Sequence, residues 1–152
     1  MAIRRVDLRR YVIRPALSPH GLWSEAAEEL LLLTAAKESK LGYYLKQLGD
    51  GPGLGLWQVE AATFNWLRDG VSFIGFKNPL KGRHESELIY DLRLGAVTAR
   101  LRYFVDPNPL PAADDVESLA KYWKRVYNTS AGKGKWEEAV QAYQYYVVEG
   151  KQ

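Results

Sequence analysis

The chain has 152 residues, which is enough for a single domain with its own hydrophobic core. It contains no cysteine, which excludes disulfide bonds and thiolate metal sites, and its only histidines, His20 and His84, show no ligand spacing. We therefore predict that it uses no metal and no other cofactor. The formal net charge of +3 mildly favours anionic partners but is too small to indicate nucleic-acid binding.

Residues 1–15 mix five arginines with scattered apolar positions and stop at Pro15. This pattern predicts a basic arm or short strand packed on the single domain 1–152, with its arginines in solvent; a basic docking patch is the alternative. No apolar core of signal-peptide length precedes the charges. We expect the protein to be made in the cytoplasm without an export signal of its own, so that a virion or lysis system must deliver it to any cell-wall target.

The strongest helical signal follows Ser24, a favourable N-cap with acidic residues in the turns after it. The predicted helix covers residues 26–38. Nearly every position from Leu30 to Ala36 is apolar or small, so we expect this helix to be buried on most sides. The apolar run is too short to cross a bilayer, and we predict no membrane span.

Turn-forming residues concentrate between positions 49 and 53, so residues 41–58 are predicted to form a small hairpin or irregular β lobe. Helices are also predicted over 60–68, 85–104 and 135–148, and another from a cap at Asp114 or Asp115 to Tyr127. Loops are predicted at 70–84, 106–111 and 128–134. The sequence thus predicts an α+β domain that is mostly helical.

Glu38 stands at the end of the apolar helix and precedes the glycine-rich stretch 53–59. Burial raises the pKa of a carboxyl group and keeps a proton available near neutral pH. A general acid of this kind is what cleavage of a glycosidic bond requires, because the leaving oxygen must be protonated. The alternative is a solvated glutamate at a helix end.

Four segments, in this order along the chain, resemble the goose-type lysozymes and the related soluble lytic transglycosylases. The chain looks like a phage-type member of that superfamily. They are Glu38-Ser39, Gly53-Leu54-Gly55-Leu56-Trp57-Gln58, Asp91-Leu92-Arg93-Leu94-Gly95-Ala96 and Tyr127-Asn128-Thr129-Ser130-Ala131-Gly132. The resemblance covers roughly residues 24 to 146. It implies a lysozyme-like fold in which a small β-hairpin lobe lies beside the active-site cleft. It also implies that Glu38 is the catalytic acid.

The same resemblance implies the rest of the site. Asp50 and Glu60 are the candidates for a second carboxylate that positions the attacking water, although Asp50 could serve only its turn and Glu60 its helix. The predicted substrate-binding residues are Ser39, Tyr44, Gly55, Trp57, Gln58, Tyr127 and Asn128. Glycine lets the backbone approach a sugar, the amide of Gln58 suits hydroxyl or N-acetyl groups, and aromatic faces suit pyranose rings. Several of these residues could instead serve the core or a loop.

The predicted function is that of a muramidase, an enzyme that cleaves the β-1,4 bond between N-acetylmuramic acid and N-acetylglucosamine in peptidoglycan. The predicted partners are peptidoglycan glycan strands, and we expect a monomer that acts at the bacterial cell wall. One alternative is a lytic transglycosylase that uses the same Glu38. Another is a weakly active lysozyme-like protein with a structural role in a virion, whose partners are other virion proteins.

Overall fold

Six helices and one two-stranded antiparallel sheet make up the part of the chain that the computed structural model describes, residues 2–151. The helices are α1 (5–17), α2 (Glu25–Ser39), α3 (61–70), α4 (Leu92–Phe104), α5 (116–128) and α6 (136–148). The strands are β1 (Gly53–Leu54) and β2 (Val59–Glu60), and short 3₁₀ turns occupy Ser18–His20, Leu48–Asp50 and Glu85–Ile89. The predicted mostly helical architecture with one small β region is confirmed.

Four of these helices change from α to π geometry along their length. In α1 a π-helical segment, Leu8–Ile13, lies between α-helical Arg5–Asp7 and Arg14–Leu17. The other three begin as α-helix and end as π-helix. Helix α3 is α-helical over Ala61–Asn65 and π-helical over Trp66–Gly70. The corresponding parts are Val116–Tyr122 and Trp123–Asn128 in α5, and Trp136–Ala142 and Tyr143–Val148 in α6.

Helix α2 is the most deeply buried element, as its sequence predicts. The hydroxyl of Ser24 caps it by accepting a hydrogen bond from the backbone N–H of Ala27 at 3.0 Å. Leu30, Leu31, Leu32 and Leu33 are all fully buried, because α1, α4, α5 and α6 pack around the helix. The sheet is anchored to α2 by Trp57, whose buried indole N–H donates to the carbonyl of Leu31 at 2.9 Å.

The prediction of an N-terminal arm or short strand is wrong, because residues 5–17 form helix α1. Leu8, Ile13 and Leu17 of this helix are fully buried, so the segment packs on the core as a helix and not as an extended arm or strand. Two of the arginines predicted to be solvated form ion pairs with the start of α2. Arg9 contacts Glu28 at 2.8 Å, and Arg14 contacts the same carboxylate at 2.7 Å. Met1 lies outside the described residues.

The predicted helix over 85–104 is divided in two. A 3₁₀ turn, Glu85–Ile89, ends before Asp91, and the carboxylate of Asp91 then caps α4 by accepting from the N–H of Leu94 at 3.0 Å. The division follows from capping, since an acidic side chain at Asp91 satisfies the first free N–H groups of a new helix. Asp115, rather than Asp114, caps α5.

Candidate active site

A cleft of about 320 Å³ opens where the last turn of α2, the β-hairpin and the end of α5 meet. The residues that line it are Glu38, Gln58, Val59, Glu60, Thr63, Arg102, Tyr127, Asn128, Thr129 and Gly132. Five of the ten predicted site residues are therefore brought together: Glu38, Gln58, Glu60, Tyr127 and Asn128. The lining combines charged side chains with the amide and hydroxyl groups of Gln58, Thr63, Asn128 and Thr129, which suit a polar ligand.

Glu38 enters the cleft from the last turn of α2 and is partly exposed there. Its Oε1 accepts a hydrogen bond at 3.0 Å from the indole N–H of Trp123, a fully buried side chain of α5. No group within residues 2–151 donates to the second oxygen, Oε2. The carboxyl group is thus fixed by one oxygen and free to exchange a proton at the other.

The surroundings of Glu38 favour its protonated form. Burial raises the pKa of Glu38 to about 6, while the Trp123 hydrogen bond and the positive charge of Lys37 act in the opposite direction. The position in the last turn of α2 adds to the effect of burial, because the carbonyl end of a helix carries partial negative charge. At pH 6 about half of the Glu38 side chains therefore hold a proton.

Two tyrosines fix the backbone around the cleft. Tyr44 donates a hydrogen bond from its hydroxyl to the backbone carbonyl of Glu38 at 2.6 Å. Tyr127 lines the cleft, donates to the carbonyl of Trp57 and stacks on Tyr103 with ring centroids 5.2 Å apart. Tyr44 itself is not among the lining residues, so its contact supports the position of Glu38 and not a sugar.

Two lining residues on opposite walls adopt left-handed backbone conformations that side chains other than glycine rarely take. Gln58 has φ = 50° in the turn between the strands, and Thr129 has φ = 67° in the loop after α5. The Gln58 side chain donates to the carbonyl of Gly55 at 2.7 Å, which stabilises the turn. Backbone strain of this kind costs energy and concentrates at functional sites, especially for a β-branched residue such as Thr129.

Asn128 is held by a neighbouring cation in the wall that α5 forms. The Nζ of Lys124 donates to Oδ1 of Asn128 at 2.6 Å and to the carbonyl of Gly132 at 2.9 Å. A Cβ at Gly132 would lie 2.4 Å from Oδ1 of Asn128, so a side chain there would displace the Asn128 amide. The amide nitrogen of Asn128 keeps its capacity to donate to a ligand in the cleft.

The two candidates for a second carboxylate lie in different places. Glu60 ends β2, is exposed and lines the cleft together with Glu38. Asp50 is exposed in the 3₁₀ turn Leu48–Asp50 and is not a lining residue. It has φ = 60° next to Gly49 at 72°, which is the geometry of a tight turn. Of the two candidates, Glu60 is therefore the one that shares a cleft with Glu38.

Three predicted substrate-binding residues serve the interior instead. Ser39 and Trp57 are fully buried; the Ser39 hydroxyl donates to the carbonyl of Leu56 at 2.6 Å, and Trp57 is the anchor to α2. Gly55 packs against the backbone of Leu88, and a Cβ at position 55 would lie 2.0 Å from the carbonyl oxygen of Leu88. None of these three residues borders the cleft in which Glu38 lies.

Five lining residues are missing from the sequence-based site: Val59, Thr63, Arg102, Thr129 and Gly132. Val59 and Thr63 adjoin Glu60, and Thr129 and Gly132 adjoin Asn128, so proximity in sequence could have found them. Arg102 gave no such signal, because α4 carries three arginines and only the packing decides which of them borders the cleft.

Comparisons with protein-family models, with curated proteins and with solved structures find no match to this chain. Within residues 2–151 no group of three or more His, Asp or Glu side chains is arranged to hold a metal ion. The same residues contain no helix with the length and apolarity needed to cross a bilayer. The chemistry of the cleft itself is thus the basis for a function.

Proposed function

We propose that this protein is a peptidoglycan muramidase of phage origin with a lysozyme-like fold, and that Glu38 is its general acid. The proposed reaction is cleavage of the β-1,4 bond between N-acetylmuramic acid and N-acetylglucosamine. The observation that carries the proposal is a carboxyl group in an open cleft. Its pKa is raised to about 6, and its Oε2 has no hydrogen-bond partner among residues 2–151.

In the proposed reaction Glu38 donates its proton to the glycosidic oxygen as the bond from that oxygen to C1 of the sugar breaks. Positive charge then develops at C1, as in an oxocarbenium ion. Glu60 lies in the same cleft and takes a proton from the water that attacks C1. The net reaction adds one water and leaves a reducing muramic acid end with inverted configuration.

The neutral lining groups support a glycan as the ligand. Gln58, Thr63, Asn128 and Thr129 offer amide and hydroxyl groups along the cleft. Such groups can pair with the hydroxyl and acetamido groups of amino sugars. A partly exposed ring at Tyr127 adds an apolar surface of the kind that packs against a pyranose.

A lytic transglycosylase is the second candidate, and the position of Asp50 favours it. With Asp50 outside the cleft, Glu60 is the only lining carboxylate besides Glu38. If Glu60 takes no part, a hydroxyl of the muramic acid itself attacks C1 and closes an anhydro ring. Glu38, ionised once it has given its proton to the leaving oxygen, then takes the proton of that hydroxyl, so the two reactions share the acid and differ in the nucleophile and the products.

Mass spectrometry of the products from purified peptidoglycan tests the proposal. Glu38→Gln should lower product formation by about 10²- to 10⁴-fold, the usual contribution of a general acid. Reducing muropeptides indicate hydrolysis, and products lighter by one water indicate a transglycosylase. No products from folded wild-type protein would contradict an enzymatic function and favour a structural role in a virion.

The two remaining carboxylates provide matched variants for the same assay. Glu60→Gln should lower the yield of reducing products strongly, because the attacking water loses its base. Asp50→Asn removes the same charge from an exposed turn outside the cleft and should leave the rate within about twofold, as expected of a surface change. The reverse ranking would show that Asp50, and not Glu60, acts with Glu38.

A further inference from the structure

Arg102 is the one positively charged residue that lines the cleft, among the residues 2–151 that the structure describes. It lies in the last turns of α4 and is partly exposed in the cleft. Within residues 2–151 its guanidinium forms no ion pair and no hydrogen bond. A guanidinium carries five N–H donors in a planar fork and is always charged, so an unpaired one beside a cleft is available to an anion.

The other arginines of α4 are differently engaged. Arg93 donates to the carbonyl of Tyr11 at 3.1 Å, and Arg100 donates to the carbonyl of Leu22 at 3.0 Å. Both therefore hold α4 against the N-terminal part of the chain. Arg102 has no comparable contact, so packing of the helix does not account for it.

The carboxylates of the cleft do not neutralise Arg102. Neither Glu38 nor Glu60 forms an ion pair with it. The charges of Glu38 and Arg102 both reach the hydroxyl of Tyr127, where burial and Glu38 raise the pKa and Arg102 lowers it. The pKa of Glu38 responds to Lys37 and not to Arg102. Arg102 and Glu38 thus border the same cleft without forming an ion pair, so both can contact one ligand.

We propose that Arg102 is a substrate-binding residue that pairs with a carboxylate of the glycan strand beside the scissile bond, an inference that rests on the proposed muramidase function. Peptidoglycan offers two such carboxylates. One is the lactyl group of muramic acid, which is free where the stem peptide has been removed. The other belongs to the stem peptide where it is present. Both match the bidentate geometry of a guanidinium.

This pairing makes the cleft selective for peptidoglycan over chitin. Chitooligosaccharides have the same β-1,4 linkage and acetamido groups but no carboxylate. They can use Gln58, Thr63 and Asn128 but gain nothing from Arg102. A cation that stays unpaired with such a ligand loses part of its hydration without compensation, so neutral strands should bind more weakly.

Isothermal titration calorimetry in a Glu38→Gln background tests the inference without any dependence on turnover. The ligands are chitotetraose, peptide-free glycan strands and peptide-bearing glycan strands. Arg102→Gln should weaken binding of an anionic strand by about 10- to 100-fold, the range for hydrogen bonds to charged groups, and leave chitotetraose unchanged. Arg102→Lys should restore part of the loss, because it keeps the charge without the fork.

Arg93→Gln is the matched control, since it removes the same charge from the same helix outside the cleft lining. It should leave all three affinities unchanged. A loss limited to peptide-bearing strands assigns the carboxylate to the stem peptide, and a loss that includes peptide-free strands assigns it to the lactyl group. No loss, or an equal loss for chitotetraose, overturns the role of Arg102 while wild-type activity leaves the muramidase proposal intact. If the Glu38→Gln protein binds no strand and the wild type releases no products, both the role of Arg102 and the muramidase function are overturned.

Discussion

The two ends of helix α2 each carry a glutamate that accepts an indole N–H at 3.0 Å, yet the two carboxyl groups are tuned in opposite directions. Trp23 donates to Glu28 near the start of the helix, and Trp123 donates to Glu38 at its end. The pKa of Glu28 is lowered, whereas the pKa of Glu38 is raised to about 6. The difference therefore does not come from the shared tryptophan contact.

The number of charged partners separates the two sites. Glu28 is 3% exposed, and burial alone would raise its pKa, but hydrogen bonds from Arg14, Trp23 and Arg9 outweigh burial. Glu38 has only the neutral indole of Trp123 as a hydrogen-bond donor, so burial dominates. Helix polarity acts in the same sense, because the N-terminal end of α2 favours a negative charge and the C-terminal end disfavours it.

Helix α2 thus carries both a structural anion and an acid. At its N-terminal end α2 uses a glutamate to attach helix α1, through Arg9 and Arg14. At the C-terminal end of α2, Glu38 has no cation in hydrogen-bonding contact among residues 2–151, and its side chain lines a cleft. Three predictions test this division, starting with the largest expected effect on stability.

Glu28→Gln should destabilise the fold by about 1.5–3 kcal/mol, because it removes the buried carboxylate that accepts hydrogen bonds from Arg9, Arg14 and Trp23. Chemical denaturation at neutral pH measures the loss. Any protein that remains folded should keep its acid at Glu38 and cleave peptidoglycan at the wild-type rate.

Glu25→Gln is the control for Glu28→Gln. It removes an exposed carboxylate from the same first turn and should change the free energy of unfolding by no more than about 0.5 kcal/mol. If both variants lost stability equally, the helix dipole and not the ion-pair network would explain the role of Glu28.

Glu38 should make stability depend on pH in the opposite sense to Glu28. Its pKa rises from an ordinary value of 4.5 to about 6 in the folded state, so its contribution is complete below pH 4.5 and is lost as pH rises through 6. The loss amounts to up to about 2 kcal/mol relative to Glu38→Gln, which cannot ionise. The lowered pKa of Glu28 instead stabilises the fold at neutral pH and loses its effect as pH falls.

Denaturant titrations of wild type and Glu38→Gln from pH 4 to pH 8 measure this difference. The free energy of unfolding of Glu38→Gln should increasingly exceed that of the wild type as the pH rises from about 4.5 to 7. In the same range the kcat/KM of the wild type should fall about tenfold for each pH unit above 6, since only the protonated acid is active. Parallel stability curves would contradict the raised pKa.

The two tryptophan contacts give the smallest effects. Trp123→Phe removes the donor that lowers the pKa of Glu38, so the descending limb of the pH–activity profile should move above pH 6. Trp23→Phe removes one of several donors to Glu28 and should cost about 1 kcal/mol of stability without moving that profile. A profile that shifts equally in both variants would show that neither indole acts locally.

The elements that the sequence predicted well are those whose signals are local. Ser24 and the apolar run after it gave α2 nearly to the residue, and the turn-forming residues around Gly53 gave the small sheet. Helix α1 was missed, because its buried residues Leu8 and Ile13 are five positions apart, the wider spacing of a π-helical segment. Ordinary helical periodicity does not contain that spacing.

The candidate site divides along the same line. By itself the sequence determined the helix that ends in Glu38, the glycine-rich turn with Gln58 and the loop with Asn128, because capping, burial and turn formation act over a few residues. Only the tertiary structure decided that Trp57 faces the core, that Glu60 and not Asp50 lines the cleft, and that Arg102 joins them. Those outcomes depend on how α2, α4 and α5 pack, and packing brings together residues that are far apart in the chain.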